Sequence, residues 1–333
     1  MVWTWKTLFL SVLLTGVLGL VSCASGPAAN YASFAPNPED RLISAAGSGD
    51  QRTVTTLLEK GTPADARTTD GLTPLIAAAS SGHDAIVSTL LTRGANPTLA
   101  KADGWTPLLA AAQSGNIESA RALISAGAQP NSPNAEGLTP LMVAASAGQL
   151  PLVEFLLDQT VDVDHAAGNG WTALMAAVHA KKVEIVAALL KSGADPDLAN
   201  ASGVTPMMMA ARTKQPDVVR ELLASGGDPN LADAEGWTPL LLAADVGSEE
   251  IVYDLLEEKV DIDVSTDDGW TAILVASDRG HQRVMQMLLE KGARLDAAGA
   301  GAVYAHAAGP DEDTAAQEPA QDPASVPPSS PRR

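Results

Sequence analysis

A threonine followed by Pro or Ala and then an aliphatic residue recurs at Thr73, Thr106, Thr139, Thr172, Thr205, Thr238 and Thr271, always 33 residues apart. Two residues before each stands a glycine, from Gly71 through Gly104, Gly137, Gly170, Gly203 and Gly236 to Gly269. A second apolar pattern keeps the same phase: Ile86-Val87 with Leu90-Leu91, Ile185-Val186 with Leu189-Leu190, Ile251-Val252 with Leu255-Leu256. A fixed period of this length marks a chain built from stacked copies of one supersecondary unit.

The physics of one copy follows from its residues. Thr73 suits a helix N-cap, where its hydroxyl accepts from an orphan amide of the first turn. Pro74 falls at the first helical position, where its missing N–H costs nothing. Leu75, Ala77, Ala78 and Ala79 extend a short helix whose small side chains allow close approach, and Ser81-Gly82 turns the chain. The spacing of Ile86, Val87, Leu90 and Leu91 predicts a second, amphipathic helix, which Gly94 closes in a left-handed conformation. Residues 96–104 form a polar, turn-rich finger leading to the next copy. No copy buries its apolar stripe alone, so the copies must stack.

Gly71 to Ala95 resembles the ankyrin repeat, whose pattern is G-x-T-P-L-H-x-A-A-x-x-G-H followed by I-V-x-x-L-L-x-x-G-A. The resemblance implies an all-α solenoid of about eight helix-turn-helix units with extended finger loops, over residues 39–300. A degenerate first unit is included: Leu42 and Leu57-Leu58 precede Leu75 and Leu90-Leu91 by 33, with Asp40, Arg41, Asp50 and Arg52 suited to a capping unit. A layer spacing of roughly 10 Å gives a stack about 80 Å long.

Several positions depart from the pattern. The His is replaced by Ile76, Leu109, Met142, Met175, Met208, Leu241 and Leu274, so apolar packing is expected to take over its role. The inter-helix Gly becomes Lys181 and Lys214, and the terminating Gly becomes Thr160 and Lys259. The last two helix ends must change shape or bear left-handed strain of about 1–2 kcal/mol, and their units are expected to be the softer ones.

The ends of the chain are of different composition. Lys6 precedes an uncharged apolar run at 7–20, about 21 Å of helix, too short for a roughly 30 Å hydrocarbon core. Leu20-Val21-Ser22-Cys23 resembles the lipobox of bacterial lipoproteins, which implies a signal peptide at 1–22 and diacylglycerol on Cys23, the only cysteine. Ala24 after the Cys implies, in a Gram-negative host, a periplasm-facing site at the outer membrane. Residues 23–38 read as a flexible tether, and 301–333 as a disordered Ala/Pro/acidic tail.

Composition narrows the function. Lys+Arg 21 against Asp+Glu 40 gives a net charge of −19, which argues against nucleic-acid phosphate as a partner. A single cysteine rules out a disulfide framework or a thiolate metal cage. The five histidines are scattered, and His83 and His281 occupy the family's own helix-turn position. No phosphate loop, H-E-x-x-H or G-x-S-x-G occurs, and Gly168-Asn169-Gly170-Trp171-Thr172-Ala173 is the repeat's turn and no dinucleotide fingerprint. Asp261, Asp263, Asp267 and Asp268 crowd one finger but lack the Gly and terminal Glu of an EF-hand. No catalysis, cofactor or metal is expected.

Four tryptophans share one register. Trp105, Trp171, Trp237 and Trp270 each precede the repeat threonine, where the other units carry Leu72, Leu138 and Val204. The resemblance puts this position at the base of the finger, bordering a concave groove where partners dock, and Trp is a favoured hot-spot residue. The same position could instead brace one finger against the next. Neighbouring positions, among them Lys101, Glu136, His179, Arg212, Asp245, Asp278 and Arg279, are mixed in charge and identify no partner. The expected function is a monomeric, lipid-anchored, non-catalytic scaffold that binds a protein through its concave face and fingers. A permanent structural or inhibitory subunit of an envelope complex is the alternative.

Overall fold

The computed structural model describes residues 37–294. The signal segment, Cys23, the tether as far as residue 36 and the tail at 301–333 lie outside the described residues. Among the described residues, sixteen helices in eight successive pairs account for the regular structure, with one isolated bridge between Ser265 and Thr271. The first four pairs are α1 (Pro38–Ser48) with α2 (Gln51–Glu59), α3 (Pro74–Ser80) with α4 (Asp84–Thr92), α5 (Pro107–Ser114) with α6 (Ile117–Ser125), and α7 (Pro140–Ala147) with α8 (Leu150–Leu157). The next four are α9 (Ala173–His179) with α10 (Val183–Lys191), α11 (Pro206–Arg212) with α12 (Pro216–Ala224), α13 (Pro239–Val246) with α14 (Glu249–Leu256), and α15 (Ala272–Asp278) with α16 (Gln282–Glu290).

First helices pack on first helices and second on second, giving two layers with the core between them. Leu75, Leu108, Leu141, Leu174, Met207, Leu240 and Ile273 form one buried file, and Ala78-Ala79 and Ala111-Ala112 let the first helices approach closely. The core is one continuous cluster from Leu42 to Ala293. The residues that replace the pattern's His are buried, except Leu274 in the last described unit, which is partly exposed. Apolar packing is not the whole substitute: Met142 Sδ accepts from the Thr139 N–H, and Met208 Sδ from the Thr205 N–H, each at 3.4 Å. A thioether is a weak acceptor but it serves an otherwise orphaned amide.

The helix starts follow the sequence reading. Each threonine from Thr73 to Thr238 accepts from the amide three residues on, at 3.1 Å for Thr73 and 3.4 Å for Thr238. Thr271 makes no such bond, and its buried hydroxyl lacks a partner.

The two kinds of missing glycine behave differently. Between the paired helices, Lys181 (φ 57°) and Lys214 (φ 54°) keep the left-handed conformation that Gly115 holds at φ 76°. The reason is the bond that closes the turn: Lys182 N to Ala177 O and Gln215 N to Ala210 O, both 3.0 Å, matching Asn116 N to Ala111 O at 3.1 Å. Both partners lie against fixed helices, so the lysines bear about 1–2 kcal/mol of strain each. At Thr160 and Lys259 the chain changes shape instead. There α8 and α14 have eight residues where the other second helices have nine. Val161 N then bonds Gln159 O, and Val260 N bonds Glu258 O, each at 2.9 Å. These three-residue turns need no positive φ.

The altered ends are clamped from the preceding unit. Asn131 Nδ2 donates to Thr160 O at 2.9 Å while its Oδ1 accepts from Asp162 N at 3.0 Å. Asn230 does the same, donating to Lys259 O at 3.0 Å and accepting from Asp261 N at 2.8 Å. At this register Asp65, Asp164, Asp197 and Asp263 only accept, from the amides of Asn96, Asp195, Asp228 and Arg294. An amide side chain therefore stands where a carbonyl needs a donor.

Two outcomes are expected in urea denaturation. Asn131→Asp removes the donor and sets a carboxylate against a carbonyl, costing about 1 kcal/mol or more, whereas Asp164→Asn should stay within about 0.5 kcal/mol. The double change Lys181→Gly with Lys214→Gly should raise stability by about 1 kcal/mol, strain relief exceeding the added freedom of the unfolded chain.

Candidate functional site

The fingers are hairpin turns rather than free loops. Each closes on itself by a backbone bond to the tryptophan register: Lys101 N to Trp105 O at 3.0 Å, Ala167 N to Trp171 O at 2.8 Å and Asp233 N to Trp237 O at 3.0 Å. Most successive fingers are also joined, through bonds such as Ala102 N to Asp70 O (2.9 Å), Ala135 N to Asp103 O (3.0 Å) and Ala201 N to Asn169 O (3.1 Å). The glycine two before each threonine from Thr73 to Thr238 is needed twice. At Gly170 φ is +79°, and a Cβ would sit 2.6 Å from Ala201 N. This contact between neighbouring backbones fixes where each aromatic side chain stands.

Trp105, Trp171 and Trp237 are half-buried and lean on the core, as do Leu72 and Leu138. Trp270 is 40% exposed. Val204, expected on the binding surface, is only 6% exposed and belongs to the core, because its short side chain ends where the tryptophans continue outward. The Trp171 ring meets His179, at the far end of α9, edge to face with centroids 5.4 Å apart and planes 64° apart. Aromatic and imidazole together cover one side of that helix. Each half-buried indole has one side on the protein and another in solvent, so bracing and partner contact are compatible roles.

The turns between paired helices form a second edge whose chemistry changes along the stack. Ser80, Ser81, Ser114 and Asn116 line a depression between the turns of the second and third units. The fifth and sixth turns carry His179, Lys181, Lys182, Arg212 and Lys214, all exposed. The seventh and eighth are joined by an ion pair, Arg279 Nε to Asp245 Oδ1 at 2.7 Å. That hydrogen bond and charge hold the Arg279 guanidinium above its ordinary value. His83 and His281 hydrogen-bond the preceding unit's carbonyls, Gly47 O at 3.2 Å and Asp245 O at 3.1 Å, so they stitch the stack.

The second-helix layer carries ion pairs between neighbours, Glu59 with Arg93, Asp254 with Arg220 and Glu257 with Lys291, which at this exposure contribute little to stability. The base of the fingers is acidic. Burial, with repulsion from Asp195 and Asp228, pushes the Asp197 carboxyl above the usual range, against the Asp228 amide bond that lowers it. Asp263 is engaged by the Arg294 amide at 2.8 Å. Among the described residues no three His, Cys, Asp or Glu side chains gather as a metal site, and no helix is long and apolar enough to cross a membrane.

The basic grouping on the fifth and sixth turns was missed by residue-by-residue reading. Its signal was present: two lysines, 33 apart, stand where the register calls for glycine.

A comparison with curated proteins returned no match. The family model for ankyrin repeats, which describes three copies, matches residues 42–134, 123–200 and 207–298, well over half of the chain. With paired helices, threonine caps and finger turns recurring in the same register, the chain belongs to the ankyrin-repeat family.

Proposed function

We propose that this chain is a non-catalytic protein-binding scaffold, held to a bacterial cell envelope by lipid on Cys23, that docks a protein partner on its fingers and first helices. The observation that carries the binding reading is the file of Trp105, Trp171, Trp237 and Trp270 on fingers that each close by a backbone bond and are mostly joined to their neighbours. Such a surface is formed before the partner arrives, so little ordering entropy opposes docking. Partly exposed indoles supply large contact area with few rotatable bonds, the property of hot-spot residues. Leu72 and Leu138 continue the file in the units without Trp.

The anchoring reading rests on the sequence: a lone cysteine directly after a short apolar run. Two or three acyl chains would hold the protein stably, each buried CH₂ contributing about 0.8 kcal/mol. The net charge of −19 disfavours adsorption to anionic lipid as the means of attachment. The site is then the periplasm-facing side of the outer membrane, if the host is Gram-negative.

Replacing Trp171 and Trp237 by Ala should cost more binding than folding free energy, about 2 kcal/mol or more of the former, with the partner identified by photo-crosslinking at position 171 in intact cells. The reverse ranking would assign the tryptophans to bracing. Cys23→Ser should move the protein from the membrane to the soluble fraction, and continued tight membrane association would refute the lipid anchor.

A further inference from the structure

We infer that the partner presents an acidic segment, a short run of Asp and Glu side chains, to the turns between α9 and α10 and between α11 and α12. This rests on the scaffold reading above and adds the chemistry of the bound segment.

Three observations converge on the two turns. The first is charge: His179, Lys181, Lys182, Arg212 and Lys214 are exposed on adjacent turns of a chain whose net charge is −19. The second, third and fourth turns carry no Lys, Arg, Asp or Glu between their helices, the first carries Asp50, and the next is acidic at Asp245. The second is backbone cost. Lys181 and Lys214 are the only residues other than Gly with positive φ among those described, although glycine fills this register at the six other turns. Strain of this kind persists where a side chain is needed more than a relaxed backbone. The third is availability. Lys181, Lys182 and Lys214 form no ion pair, whereas Arg93, Arg220, Arg279 and Lys291 each do.

The neighbouring acids do not pair with Lys181, Lys182 or Lys214. Glu184 is exposed in the first turn of α10 and pairs with none of these lysines, and Asp217 is held by Arg220 at 2.6 Å. The stem of Lys182 lies across the preceding turn, where a Cβ on Gly148 would be 2.5 Å from Lys182 Cε. That packing holds its ammonium over the preceding turn, where a Cβ on Gly148 would be 3.0 Å from Nζ. His179 links this line to Trp171, so one partner segment can engage the indole and the lysines together.

The size of the patch selects an acidic protein segment over other polyanions. Two turns span about 10 Å at ordinary helix-layer spacing, room for a few carboxylates. A nucleic acid or an anionic membrane would extend its charge along the same edge onto Asp245 and Asp278 of the following turns. Repulsion there opposes binding of a long, uniform polyanion.

The test uses the full chain and a fluorescent octaglutamate peptide, with an octaglutamine peptide, a single-stranded oligonucleotide and phosphatidylglycerol vesicles in parallel at one ionic strength. The glutamate peptide should bind in preference to the other three. Lys181→Gly with Lys214→Gly should weaken it about tenfold while the melting temperature holds or rises, separating loss of binding from loss of fold. Equal binding by the double variant, no binding of the glutamate peptide, or tighter binding of oligonucleotide or vesicles overturns the inference. If a partner still crosslinks at Trp171 while the glutamate peptide fails, the acidic-segment inference falls and the scaffold reading stands. The absence of any crosslinked partner would count against the scaffold itself.

Discussion

A pair of helices seven to eleven residues long has two apolar sides and only one partner helix, so most of its hydrophobic surface is covered by other pairs. Everything else in this chain follows from that dependence. The buried file from Leu75 to Ile273 is a column of residues from different units, each seated on the one before. Short-range stacking of this kind makes stability a sum over neighbours rather than the property of one central core. It also leaves long, regular edges on which side chains can vary without disturbing the interior.

Those edges are rigid for specific reasons. Fingers are joined by single backbone bonds, with glycines allowing the approach, and the inter-helix turns are tied to preceding carbonyls by His83 and His281. Binding groups carried on such turns have their positions set by repeated backbone geometry. The tryptophan file and the lysine-bearing turns therefore lie on one framework, with Trp171 and His179 bridging α9 from end to end.

Most of the fold was legible in the sequence, because its determinants are local. Thr caps, Pro at the first helical position and the Ile-Val/Leu-Leu spacing each act within one unit, and the structure places helices where they predict them. What was not legible depends on how much freedom each turn has. Thr160 and Lys259 follow a second helix, where the chain can end that helix early and avoid positive φ; Lys181 and Lys214 lie between two packed helices and cannot. Spacing alone does not distinguish these cases. The burial of Val204 against the exposure of Trp270 is likewise a matter of side-chain reach within one register. Contact between the indoles and a partner is a property of two surfaces and has no local signature in one chain.

The asparagine clamps have a consequence for how such an array can be rearranged. Asn131 belongs to one unit and the carbonyl it serves, at Thr160, to the next; Asn230 and Lys259 are divided the same way. The units look like interchangeable bricks, yet these two junctions are keyed. Shuffling, deleting or duplicating a module with boundaries between lock and key would strand one half of the pair, so natural or engineered exchange should move such neighbours as couples.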